Sequence, residues 1–382
     1  MLGKSQDVTG SVLALAVLSA LLISARPALA QTEKVLYSFG SQSLDGQDPV
    51  AGLVFGKKGN LYGTTEGGGF YDAGTVFEIA TTGKEAGTEK VLYNFGSHLG
   101  EGSYPHAGLI FDKEGNLYGT TWQGGAYGVG TVFEITSAGT EEVLYSFGSQ
   151  SGDGAYPLAG LVFDKKGHLY GTTENGGAYG YGTVYKLTPA QTETVLYSFG
   201  SQSDDGSYPN AGLVFDKKGN LYGTTWQGGA YGQGTVFEIT SAGTEEVLHS
   251  FGGQSGDGAD PSWAGLVFDK KGNLYGVTGD GGAYDEGTVF EVTPAGIETV
   301  LYSFGSQAGD GAGPAAGLII DKEGNLYGTT SSNSGSGCYY DGFPCGTVFK
   351  VTSAGEESVL YSFCSQPYCA DGAKPQREPD HG

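Results

Sequence analysis

Basic residues are scarce in this chain, with 19 Lys and Arg against 42 Asp and Glu in 382 residues. No basic stripe exists to release phosphate counterions, which excludes nucleic acid as a partner. An anionic membrane surface is disfavoured for the same reason. Cysteine is missing until Cys338. Beyond residue 30 there is no apolar run long enough to span a bilayer and no stretch with the period or caps of a helix. Those absences leave an all-β chain.

The first thirty residues read differently from the rest. Lys4 lies in a short polar start, residues 11–24 form an apolar run, and Ala28-Leu29-Ala30 precedes Gln31. This is the three-part form of a secretory signal with cleavage after Ala30, so a secreted or periplasmic protein is expected. No cysteine follows the cut to carry a lipid. Cleavage removes Lys4, Arg26 and Asp7, so 19 basic and 42 acidic residues become 17 and 41, a net charge of −24. An acidic shell favours solubility and attracts cations without naming a ligand.

Glycine accounts for 71 residues and would suggest disorder were it not periodic, and 25 Tyr with 19 Phe supply a core. Val-Leu-Tyr-Ser-Phe-Gly or a close variant begins at Val35, Val91, Val143, Val195, Val247, Val300 and Val359. Repetition at about fifty residues is the mark of a repeat architecture. In one unit, Ala211-Gly-Leu-Val-Phe-Asp216, Asn220-Leu-Tyr-Gly-Thr-Thr225, Thr235-Val-Phe-Glu-Ile-Thr240 and 245–251 read as four strands. Turns at Lys217-Lys-Gly219 and Ser241-Ala-Gly-Thr244 and a Gly-rich loop at 226–234 join them. Four short strands per unit make one propeller blade. Six copies each of the second and third strands give an all-β, six-bladed propeller over residues 31–363, followed by a tail, 364–382. The fourth strand occurs seven times. Either the copy at 35–39 closes the ring by pairing into the last blade, or the copy at 359–363 does. Seven blades with one degenerate is the alternative.

The unit AGLVFDKKGNLYGTTxxGGAYxxGTVFEIT…VLYSFG resembles the bacterial tandem repeat of choice-of-anchor GloVer-containing proteins, from Val35 to Phe363. The resemblance implies an exported, propeller-like protein of undefined activity. Many relatives carry a C-terminal sorting segment, whereas this sequence ends in Lys374-Pro-Gln-Arg-Glu-Pro-Asp-His-Gly382 without an apolar helix.

In an exported chain Cys338, Cys345, Cys364 and Cys369 read as disulfides, with local pairs 338–345 and 364–369 the first expectation and cross-pairing open. Their flanks lack the His of a zinc site. The loops between second and third strands share one face with the links between blades, and any binding site belongs there. Trp122 and Trp226 occupy one slot in blades two and four, where blades one and three have Glu66 and Glu174. Trp263 sits in a link, and Tyr127, Tyr179 and Tyr231 recur in the Gly-rich loops. Trp122, Trp226, Trp263, Tyr127 and Tyr231 are the candidate ligand-binding residues, able to stack on sugar rings or to pack between blades. Asp45, Glu101, Asp153, Asp205, Asp257 and Asp310 each precede Gly. They suit calcium by chemistry, but Asp-Gly is also a turn dipeptide and the calcium-loop spacing is missing, so no cofactor is expected.

Catalysis needs a constellation that breaks the repeat. His98, Glu101 and His106 share one link and could bind metal or exchange protons, but surface drift in a loop is the preferred reading. His168 and His249 read as local substitutions, and Asp280, Asp285 and Glu286 form no recognisable nucleophile and base set. No Gly-x-Gly opens a helix, which removes a dinucleotide reading. The sequence therefore points to a non-catalytic propeller with a glycan or cell-surface partner. A metal-dependent lactonase- or lyase-like enzyme and a structural scaffold are the alternatives.

Overall fold

A computed structural model describes residues 33–261, 263, 265–314, 316–332, 339–340, 343–366 and 369. The secretory-signal reading of residues 1–30, Cys338 and the tail from 370 onward fall outside them. Six antiparallel blades of four consecutive strands follow one another at residues 54–94, 110–146, 162–198, 214–250, 267–303 and 319–362, and in blade six the link strand Ala312–Pro314 joins the sheet as a fifth. The fold is a six-bladed β-propeller. Helical geometry among the described residues is limited to a 3-10 turn, Gly83–Glu85, and a 3-10 position at Cys369.

Each strand follows from its residues. In blade two Leu117–Thr121 pairs with Thr131–Ile135, placing Gly119 opposite Phe133 and Thr121 opposite Thr131. The Phe133 ring lies over Gly119, where a Cβ would meet it at 2.6 Å, so the glycine inside this strand is required. Thr121 and Thr131 are fully buried, yet their hydroxyls bond each other at 2.8 Å, and Thr121 also donates to the Gln123 carbonyl. This threonine pair recurs in every blade and satisfies polar groups that would otherwise be costly at the core edge. A register shift between Val132 and Phe133 bends the fourth strand away, again in every blade. The Asp-Lys-x-Gly-Asn turns hold because Asp112 accepts from the Gly115 and Asn116 backbones.

The strands are shorter than the sequence suggests. The first is only Val214–Phe215 in blade four, and the others are Leu221–Thr225, Thr235–Ile239 and Glu245–Ser250. Links and second-to-third loops do share one face. Gly102–Ser103 of a link pairs with Gln123–Gly124 of a loop, and four other blades repeat this. Gly124 has φ of 82° and a Cβ there would lie 2.4 Å from the Glu101 carbonyl, which is why the loop needs its glycine pair.

Blades join through aromatic contacts. Phe95 of blade one meets Phe133 of blade two edge-on at 5.0 Å, and the equivalent pair spans each junction through to Phe304–Phe349. The two terminal copies of the fourth strand have different fates. Glu357–Ser362 pairs within blade six. The copy at 35–39 does not pair into the last blade: it forms no strand, and Leu36, Tyr37 and Phe39 pack on Leu61, Phe77 and Ile79 of blade one. Its side chains imitate a preceding blade without supplying that blade's backbone ladder.

Candidate functional site

The six blades surround an axial channel with a cavity of about 470 Å³, walled largely by the Ala-Gly-Leu starts of the first strands. Blades one and two meet closely here: a Cβ on Gly108 would lie 3.2 Å from the Gly52 carbonyl. The residue immediately before each Ala-Gly is set by the link. Val50, His106, Leu158, Asn210 and Trp263 all line the cavity at this position. Three of them are chemically distinctive.

His106 and Asn210 are buried, at 8% and 2% exposure, and Trp263 is half-buried. His106 Nε2 stands 3.8 Å from Glu66 Oε2, and the His106 and Trp263 ring centres are 6.1 Å apart. The Trp263 backbone N–H donates to Asn210 Oδ1 at 3.3 Å. Asn210 Nδ2 has no hydrogen-bond partner among the described residues. A buried amide with both N–H donors unused carries a desolvation cost that a ligand oxygen would remove. Trp263 also sits at φ 60°, a left-handed conformation unusual for a bulky residue. Ser262, an extra residue in this link, precedes it.

The other aromatic candidates occupy different places. Trp122 leans on Tyr156 at 6.0 Å and Trp226 on Tyr208 at 6.3 Å, and neither lines the cavity. Tyr127 and Tyr231 are exposed on the Gly-rich loops and cover the Gly148 and Gly252-Gly253 turns. Of the five candidates, the structure brings only Trp263 to the channel. Sequence reasoning passed over Asn210 and treated His106 as one member of a link cluster. A signal was available, since the residue before Ala-Gly-Leu differs in almost every copy while its neighbours barely change.

The link acids are buried turn elements with wider partnerships than an Asp-Gly turn needs. Asp153 accepts from Tyr145 Oη at 2.8 Å, from the Ser149 backbone at 2.9 Å and from its hydroxyl. Tyr37–Asp45, Tyr93–Glu101, Tyr197–Asp205 and Tyr302–Asp310 repeat the pattern, and His249 replaces the tyrosine beside Asp257. Each acid faces a second carboxyl at the start of the following fourth strand. Burial, with the link acid beside it, pushes Glu89, Glu193, Glu245 and Glu357 up to about 7. Glu141 and Glu298 also reach about 7, chiefly through burial, with a nearby histidine pulling the other way. Such groups hold a proton near neutrality, so each junction contains an acid pair sharing less than its full charge. Two junctions bring a histidine within reach, His98–Glu101–Glu141 and His249–Asp257–Glu298, with ligand atoms within 4.8 Å of one another. His98 lies at the first of these and His106 at the channel, so the link that holds both divides them between two places. His168 replaces the turn Asn, bonding Asp164 at 2.8 Å, and Asp285 accepts from its own loop at Gly281.

The tail is stapled by a Cys364–Cys369 disulfide, as the local pairing anticipated. Cys345 is buried and disulfide-bonded. No helix among the described residues is long and apolar enough to cross a membrane.

A propeller with an axial, repeat-breaking pocket is the class that this architecture defines. The chain belongs to the Gloeobacter/Verrucomicrobia repeat family, whose profile matches residues 22–217 and 164–379. No curated protein matches it. Among solved structures it is similar to a putative 6-phosphogluconolactonase from Bacteroides uniformis, with 16% identity, a TM-score of 0.53, and coverage of 83% of this chain and 85% of that one. It also matches a gluconolactonase from Xanthomonas campestris at 14% identity and a TM-score of 0.40, over 65% and 72% of the chains. At such identity the first likeness shows the fold alone.

Proposed function

We propose that the protein is exported and that its propeller binds a carbohydrate at the link-face mouth of the channel without converting it. The observation that carries this reading is the unused amide of Asn210 beside the Trp263 indole in one cavity. An indole offers a flat apolar face for the C–H side of a sugar ring. The Asn210 amide donates to ring hydroxyls, and Glu66 and His106 supply acceptor and donor groups nearby. A cavity of this size suits one or two sugar units. The export signal read at residues 1–30 puts the partner outside the cytoplasm, on a cell surface or in the medium.

The test is a glycan array and calorimetry on residues 31–382. Trp263→Ala is expected to weaken the binding of an identified glycan by about 30-fold, the loss of one stacked ring worth about 2 kcal/mol. Asn210→Ala is expected to weaken it by about 10-fold. Retention in both variants, with loss in Trp122→Ala or Trp226→Ala, would move the site to the loop tips. A blank array rejects the carbohydrate reading. A metal-dependent lactonase-like enzyme draws its support from fold likeness, which shows no chemistry. The described His-carboxylate trios stand at blade junctions instead of in the channel.

A further inference from the structure

Among the described residues, five of the six blade junctions are packed and the sixth, between blade six and blade one, is open. The leucine that opens each first strand shows the difference. Leu109, Leu161, Leu213, Leu266 and Leu318 are buried against the preceding blade, whereas Leu53 of blade one is 47% exposed. Phe55 is 70% exposed, although Phe111, Phe163, Phe215 and Phe268 each meet a tyrosine of the preceding blade edge-on. On the opposite side of the opening Ile319 is 71% exposed, while its counterpart Val267 packs on blade six. Val348 is half-buried where the matching valines are fully buried. A Cβ on Gly52 would meet nothing within 4 Å, although each later axial glycine touches its predecessor.

We propose that this opening is a head-to-tail interface whose occupant is a second copy of the chain. Blade six of one molecule docks on blade one of the next. The internal junctions supply the argument. Blade six presents what blade five presents to blade six, and blade one presents what blade two presents to blade one. The two open faces are therefore the separated halves of a contact already made five times within the molecule. Segment 35–39 competes for the same place. Phe39 covers Phe77 at 4.8 Å, as Phe304 covers Phe349 at 5.0 Å, but the segment has no strand pairing to hold it. A neighbouring blade six brings a paired fourth strand and displaces it. An interface of two different faces is heterologous, so it extends into chains or rings of copies and does not stop at a symmetric dimer.

Sedimentation analysis of residues 31–382 over a wide concentration series tests this. The mean mass is expected to rise steadily with concentration. Phe55→Asp and Ile319→Asp, both at exposed positions, are each expected to block assembly while circular dichroism and melting temperature stay unchanged. An equimolar mixture of the two variants retains one good face of each kind. It is expected to form dimers that grow no further. Phe39→Ala loosens the competing segment and shifts assembly to lower concentration. A wild type that stays monomeric throughout overturns the proposal, as does a mixture that stays monomeric while the wild type assembles. Unchanged or weaker assembly of Phe39→Ala overturns displacement of the segment.

Discussion

The ring in the middle of the third strand is Phe77, Phe133, Tyr185, Phe237, Phe290 and Phe349 across the six blades, while the residue ahead of Ala-Gly-Leu is Val50, His106, Leu158, Asn210, Trp263 and Ala315. The first column is fully buried in every blade and lies over a glycine of the neighbouring strand. Of the second, Val50, His106, Leu158, Asn210 and Trp263 border a cavity. Where six copies must meet six equivalent neighbours, packing holds the residue constant. At the axis these side chains border a cavity and not an equivalent neighbour, and are released from that constraint. Variation among internal copies thus separates scaffold from channel lining without any other sequence for reference.

The contrast is broken most severely in the constant column. Phe133→Ala leaves a void between Phe95, Leu109 and Gly119 and is expected to cost about 3–5 kcal/mol, read from chemical denaturation. Next in size is a pH effect shared by all the junctions. The six fourth-strand glutamates titrate near 7 when folded, against an ordinary value of 4.5. A raised folded value means that the native state binds more protons than the unfolded one between those limits. Their contribution is complete below about pH 4.5 and is lost as pH rises through about 7. The melting temperature is expected to be higher at pH 5.5 than at pH 8, by about 5 °C, and Glu193→Gln should remove part of the slope. A flat profile would show that these acids are ionised throughout.

A smaller change runs in the opposite direction. Tyr185 is the one exception in its column, and its fully buried hydroxyl has no hydrogen-bond partner among the described residues. Tyr185→Phe is expected to stabilise the protein by about 1 kcal/mol, seen as a higher denaturation midpoint. The smallest effect belongs to the variable column. Trp263→Ala should change stability by no more than about 0.5 kcal/mol in the same assay, whatever it does to binding. A loss as large as that of Phe133→Ala would make Trp263 part of the scaffold.

Much of this was legible in the sequence. The Asp-Lys-x-Gly-Asn turns, the Gly-Gly loops and the paired threonines each specify local geometry, so blade number, strand order and the two faces follow from the repeat. Contacts between residues far apart in sequence were harder to read. The pairing of Asp153 with Glu193 depends on how a link folds over its own blade's outer strand. Trp122 and Trp226 share a slot, but their direction is set by Tyr156 and Tyr208, which are not adjacent in the chain. Tyr156 and Tyr208 themselves sit at positive φ, a backbone turn that composition does not announce. Segment 35–39 has the sequence of a strand and lacks only a partner for its backbone, which no local rule could supply.

The axial column has a consequence for how such a protein can change. Because the flanking Ala-Gly-Leu holds the backbone, a substitution at any one of these positions alters the channel lining without asking the strands to move. On the proposed reading, preference for a new ligand can then arise one blade at a time, through single exchanges that leave folding almost untouched. Randomising Val50, His106, Leu158, Asn210 and Trp263 together would yield a library of channel linings on one unaltered scaffold.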